Sequence, residues 1–246
     1  MAVVCTNLTS GSDSDGNATA SAGSITLVAN RLYVCAVKHK TQISTEPNLT
    51  SLSQTGVTWV QIGSALNPDN AGTSRQKMDL WRTMVSSDTT QTLNFSFGGQ
   101  NQTFVSWIID EFTGMDTTGT NGSGAIVQSA TGVIASAGPA DTVVTATLAA
   151  FGSTDNATYG FFGNGNNASS PTVGAGFSLV KYFSEPAGAM DLVTEFKSTN
   201  DTTVDVTFSS DVEVGIYGVE IKAAAAGEVI KPNGFMTTNT KFWGFS

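Results

Sequence analysis

Apolar residues in this chain do not hold helical spacing over any stretch long enough to make an amphipathic helix. They come in short runs rich in Val, Ile, Phe, Thr and Tyr, each broken by Gly, Asn, Asp or Ser. That is the pattern of many strands joined by turns, and it predicts an all-β fold. Strands are expected near 2–8, 24–28, 31–39, 57–63, 76–85, 91–97, 103–113, 124–130, 141–149, 156–163, 176–184, 191–197, 203–208 and 212–222.

Alternation within the runs shows which faces are buried. In TFVSWIIDEF, Phe104, Ser106, Ile108, Asp110 and Phe112 share one face, and Val105, Trp107, Ile109 and Glu111 the other. Both faces are largely apolar, which predicts a central strand. In TTVDVTFSS, Val204, Val206 and Phe208 oppose Asp205 and Thr207, the pattern of a strand with one wet face. The joining stretches GSDSDGNATASAG, SALNPDNAGTSRQ, TGMDTTGTNGSG and GNGNNASSPTVGAG are rich in the residues that turns require. No composition shift divides the first 222 residues. The expectation is one domain over 1–223, an antiparallel two-sheet sandwich of jelly-roll type. A linker and an extended aromatic C-terminal tail follow over 224–246.

A chain of 246 residues can bury a sizeable core without staples. Its net charge is −9 and only 13% of its residues are charged, with eleven scattered Lys and Arg. Nucleic acid is therefore disfavoured as a partner, because phosphate binding needs clustered cations, and anionic membranes are disfavoured for the same reason. No apolar run approaches the ~20 residues that span a bilayer. The opening MAVVCTNLTSGSDSDGN has neither a basic n-region nor a long apolar h-region, so synthesis in a cytosol is expected. Cys5 and Cys35, in the apolar settings VVC and LYVCAV, are expected to be buried free thiols rather than a disulfide, and they are too few for a metal site.

The candidates for chemistry are few. His39, in VKHK, is the only histidine, and no G-x-S-x-G elbow presents a nucleophile to it; an exposed place at a strand end is expected. Asp110 and Glu111 are strand neighbours, so they point to opposite faces and cannot flank one glycosidic bond. Asp191 and Glu195 do share a face, which leaves a carboxylate hydrolase open. The loop DSDGN has Asp13, Asp15 and Gly16 in the manner of half a calcium loop, but Ser24 stands where an EF-hand would place its Glu. An Asx-turn is the simpler reading. Trp59, Trp81 and Trp107 fall inside strand patterns, which favours core packing over a sugar-stacking platform. No catalytic residue, metal or cofactor is expected, and the chain is read as non-enzymatic.

The C-terminus, KPNGFMTTNTKFWGFS, carries Phe235, Phe242, Trp243 and Phe245, which are the candidate partner-binding residues. Sheltering four aromatics would remove roughly 600–1,000 Å² from water, worth about 15–25 kcal/mol as an upper bound. Ordering the sixteen residues 231–246 costs about as much, at roughly 1.5 kcal/mol each. Such a tail holds weakly alone and durably only on a prepared site or through many copies. It can serve as a strap on its own sandwich or dock on another subunit, and docking is the preferred expectation.

ANRLYVCAV, VSWIIDEFTGMDTTGTNGSGAIVQSAT, LAAFGSTDNATYGFF and the closing YGVEIKAA together resemble β-sandwich structural proteins of tailed bacteriophages, over roughly 1–223. The resemblance implies a virion component, such as a capsid decoration protein, head fibre or tail-associated surface protein. Such a protein would be made in the host cytoplasm and assembled in multiple copies on the major capsid protein or on neighbouring copies of itself, without a cofactor. The aromatic tail lies outside the resemblance. The contending class is a lectin-like carbohydrate-binding module for adsorption, and beyond it a glycan hydrolase.

Overall fold

A computed structural model of the chain describes residues 2–41, 48–69, 75–134, 142–165, 171–185, 190–209 and 213–225. Ten strands form the first half of the chain: β1 (Val4–Asp13), β2 (Thr19–Leu27), β3 (Leu32–Thr41), β4 (Ser51–Gln54), β5 (Val57–Thr58), β6 (Val60–Gln61), β7 (Leu66–Asp69), β8 (Arg75–Met84), β9 (Thr89–Ser96) and β10 (Phe104–Thr113). Eight form the second: β11 (Ile126–Ile134), β12 (Val143–Thr147), β13 (Ala157–Asn164), β14 (Thr172–Val173), β15 (Ser178–Glu185), β16 (Met190–Lys197), β17 (Thr203–Thr207) and β18 (Val214–Ile221). One short 3₁₀ turn, Ser123–Ala125, lies between the halves.

The expected all-β sandwich is present, and it occurs twice. In the first half, β1-β10-β3-β8-β6 form one sheet, with β7 also on β8, and β2-β9-β4-β5 form the other. In the second half, β11-β18-β13-β16-β15 form one sheet and β12-β17-β14 the other. Seven strands hold matching sheet positions in the two halves: β1 with β11, β10 with β18, β3 with β13, β8 with β16, β2 with β12, β9 with β17 and β4 with β14. All pairings are antiparallel, and the orders β1-β10-β3-β8 and β2-β9-β4-β5 in the two facing sheets follow the double Greek-key path of a jelly roll.

Three apolar clusters stack the four sheets in layers. Tyr33, Cys35, Val37 and Ile109 meet Leu27, Leu93 and Phe95 inside the first sandwich. Phe162, Val193 and Ile216 meet Val144, Val204 and Val206 inside the second. The third cluster joins the halves: Leu32, Val34, Met78, Ile108 and Phe112 pack on Ala157, Tyr159, Phe161, Leu192 and Tyr217. The Phe112 ring meets Tyr159 edge-on at 5.3 Å between centroids. Both middle sheets are thus covered on both faces, and β13 and β18 are buried at every position.

The outer sheets face solvent with hydroxyls and amides. Ser24, Thr26, Thr90, Thr92 and Asn94 line one, and Thr145, Thr147, Thr203 and Thr207 the other, all exposed. Thr26 and Thr90 hydrogen-bond side chain to side chain at 2.8 Å. Cys5 and Cys35 are free, as expected; Cys5 packs toward the second sandwich and Cys35 into the first.

Candidate functional site

Most of the ionisable groups that suggested chemistry serve the core. His39 corrects its expectation: it lies inside β3, two residues before its end, and is fully buried. Its Nε2 lies 3.0 Å from Asp79 Oδ2 and its Nδ1 3.1 Å from Gln102 Oε1, and its ring packs 5.0 Å from Phe97. Gln61 donates to the other Asp79 oxygen at 2.8 Å. A buried polar side chain needs hydrogen-bond partners, and these supply them.

Asp110 turns to the junction between sandwiches, where Asn7 donates to Oδ1 at 3.0 Å and Tyr159 Oη to Oδ2 at 2.9 Å. Burial pushes its carboxyl up to about 6, against the pull of these donors. Glu111, on the opposite face, holds Arg31 at 2.6 Å and Tyr33 Oη at 2.8 Å. Glu195 is buried and accepts the Gly174 N–H at 2.9 Å, with burial raising its carboxyl to about 8. Asp191 shares its face but stands four residues away along β16, about 13 Å at strand rise, beyond the separation glycoside hydrolysis uses. Asp13 accepts the Asp15 N–H at 2.9 Å, an Asx-turn, and among the described residues no cluster of three metal-ligating side chains occurs. Trp59, Trp81 and Trp107 are buried in the first sandwich.

One of several clefts among the described residues, of about 590 Å³, lies at one end of the second sandwich. Its wall begins where the chain leaves the first sandwich. Gly114 has φ +75, and a Cβ there would lie 2.2 Å from the Ala2 carbonyl oxygen, so only glycine fits this corner. The strap that follows is tied to the end of β18: Met115 bridges Ala223, the Asp116 N–H donates to the Lys222 carbonyl, and Ala224 N–H donates to Gly114. The Lys222 ammonium, 2.7 Å from Asp116 Oδ2, holds that carboxyl down at about 2, with help from Thr118.

Glu220 forms the back of the cleft. Gln128 and Asn156 donate to its two oxygens at 2.6 Å each, and Asn156 Oδ1 accepts the Ala223 N–H at 3.1 Å. The rim is mixed: Asp155 is exposed, and so is Val127, at 50%. Ala223, Ala224 and Ala225 line the cleft as the last described residues. It offers an apolar lip beside a carboxylate-rich wall, with Ser153 and Lys222 also on the lining. Sequence reasoning missed it because the strap, the 149–156 loop and the end of β18 are far apart along the chain. Phe235, Phe242, Trp243 and Phe245 lie outside the described residues.

The class defined by fold and site is an all-β, tandem jelly-roll protein with a polar surface. No protein-family model, curated protein or solved structure matches the chain.

Proposed function

We propose that the protein is a non-enzymatic structural component of a tailed-bacteriophage particle, a capsid decoration or other surface protein, attached through its aromatic C-terminal segment to the capsid or to a neighbouring copy. The observation that carries this reading is the four-layer stack itself. Two jelly rolls share one core and turn two hydroxyl-rich, sparsely charged sheets outward, so the chain is built as a rigid spacer with a wet surface. Jelly rolls recur in viral capsids and also in lectins, and that analogy of fold adds weight without deciding between them. The engagement of His39, Asp110 and Glu195 in the core favours a scaffold over a hydrolase. The burial of all three strand tryptophans weighs against the lectin, which would need an exposed stacking surface.

The test is sedimentation of particles from an infected host. The protein is expected to co-purify with intact particles in fixed stoichiometry and to show no glycan-array signal when free. Recovery only in the soluble fraction, with calcium-dependent glycan binding lost on substituting Asp13 and Asp15, would replace this reading with the lectin.

A further inference from the structure

We infer that, in the free protein, the cleft between the Asp116 strap and Asn156 is the resting site of the chain's own C-terminal segment, 226–246. This rests on the proposed role of that segment in attachment and gives it a storage place before assembly. The described chain ends inside the cleft: Ala223, Ala224 and Ala225 form part of its lining, so the segment starts at the mouth. Nine residues lie between Ala225 and Phe235, a reach of at most about 35 Å for an extended chain.

Charge and exposure fit the same occupant. The segment carries Lys231 and Lys241 against Glu228, a side-chain charge of +1, which leaves −10 on the remaining residues. The cleft sets Asp116, Asp155 and Glu220 against one Lys222. Val127, half exposed at its lip, is an apolar contact awaiting cover. Tethering decides whose segment enters. Covalent attachment over so short a stretch gives an effective concentration on the order of millimolar, above that of separate copies in dilute solution. The near balance between aromatic burial and ordering makes the latch reversible, so the segment can exchange into a neighbour when copies are crowded on a particle.

The full-length chain with a photoreactive phenylalanine analogue at Phe242 tests this, in a dilute mixture of isotopically light and heavy copies. Crosslinks are expected within single chains, landing on 126–127, 152–156 or 223–225. Val127→Asp should cut their yield about tenfold, the equivalent of ~1.4 kcal/mol. Leu179→Asp, an equally exposed apolar site elsewhere, should leave it unchanged. Light-to-heavy crosslinks, capture at other surfaces, no capture, or indifference to Val127→Asp would each overturn the latch. Because the readout is taken on the free chain, an intact latch with no particle association would sink the proposed function instead.

Discussion

Asp110 concentrates the chemistry of the junction in one side chain. Its carboxyl titrates near 6 in the folded chain, above the ~3.9 of an unperturbed Asp. The folded state therefore holds the proton more tightly, and this contribution is complete below about pH 4 and is lost as pH rises through 6. Glu195, raised to about 8, acts in the same direction over a window reaching to pH 8. Asp116, held down at about 2, acts oppositely, adding stability above about pH 4 that is lost as pH falls toward 2. Chemical denaturation is expected to give a higher midpoint at pH 5 than at pH 8. Glu195→Gln keeps an acceptor for the Gly174 N–H while removing the buried charge, so it should stabilise the chain by about 1–2 kcal/mol at pH 8 and change little at pH 5. Tyr159→Phe strips a donor from the Asp110 carboxylate and should cost about 1.5–3 kcal/mol at pH 7, and less at pH 5 where the carboxyl is largely protonated. An equal cost at both pH values would place that charge elsewhere.

At the scale of elements, the long strands were legible because their apolar residues are dense and β-branched. The span predicted at 103–113 became β10, central between β1 and β3, and 203–208 became β17, with Val204 and Val206 buried under Thr203 and Thr207. The short β4, β7 and β14 were missed because two to four residues carry no alternation to read. The duplication was hidden in the side chains. Cys35, Trp81 and Ile109 form one cross-strand row in the first sandwich, and Gly160, Glu195 and Gly218 hold the same row in the second. Val204 fills the space those glycines leave, so packing is preserved while the sequence pattern is erased. The carboxylate on the last strand survives: Glu111 binds Arg31 just before β3, and Glu220 binds Asn156 just before β13. Where β11 crosses β12, a Cβ on Gly132 would lie 2.3 Å from the Thr145 carbonyl oxygen. Gly132→Ala should destabilise by about 1–3 kcal/mol in equilibrium unfolding, because backbone cannot swing aside as a flexible side chain can.

As a whole molecule, the two sandwiches are held together by a core as continuous as the one inside each. Phe112 and Met78 from one half, and Tyr159 and Tyr217 from the other, would be exposed if the halves parted. Tyr217 Oη donates to the Ser64 and Met78 carbonyls at 2.8 and 3.0 Å, and Ser12 donates to Glu185 at 2.5 Å, so polar bonds also span the junction. Scanning calorimetry should accordingly give one cooperative transition, with calorimetric and van't Hoff enthalpies in agreement, rather than two. The sequence announced a sandwich but not its partner, since burial on both faces of β3 and β13 looks the same whether the second cover is a sheet or a loop. The functional account depends on the terminus doing the attaching while this stack supplies the shape. Its most direct measurement is particle incorporation by a chain that ends at Gly227, compared with the full-length chain. The shortened chain is predicted to remain folded and monomeric and to be missing from purified particles; incorporation equal to that of the full-length chain would contradict the account.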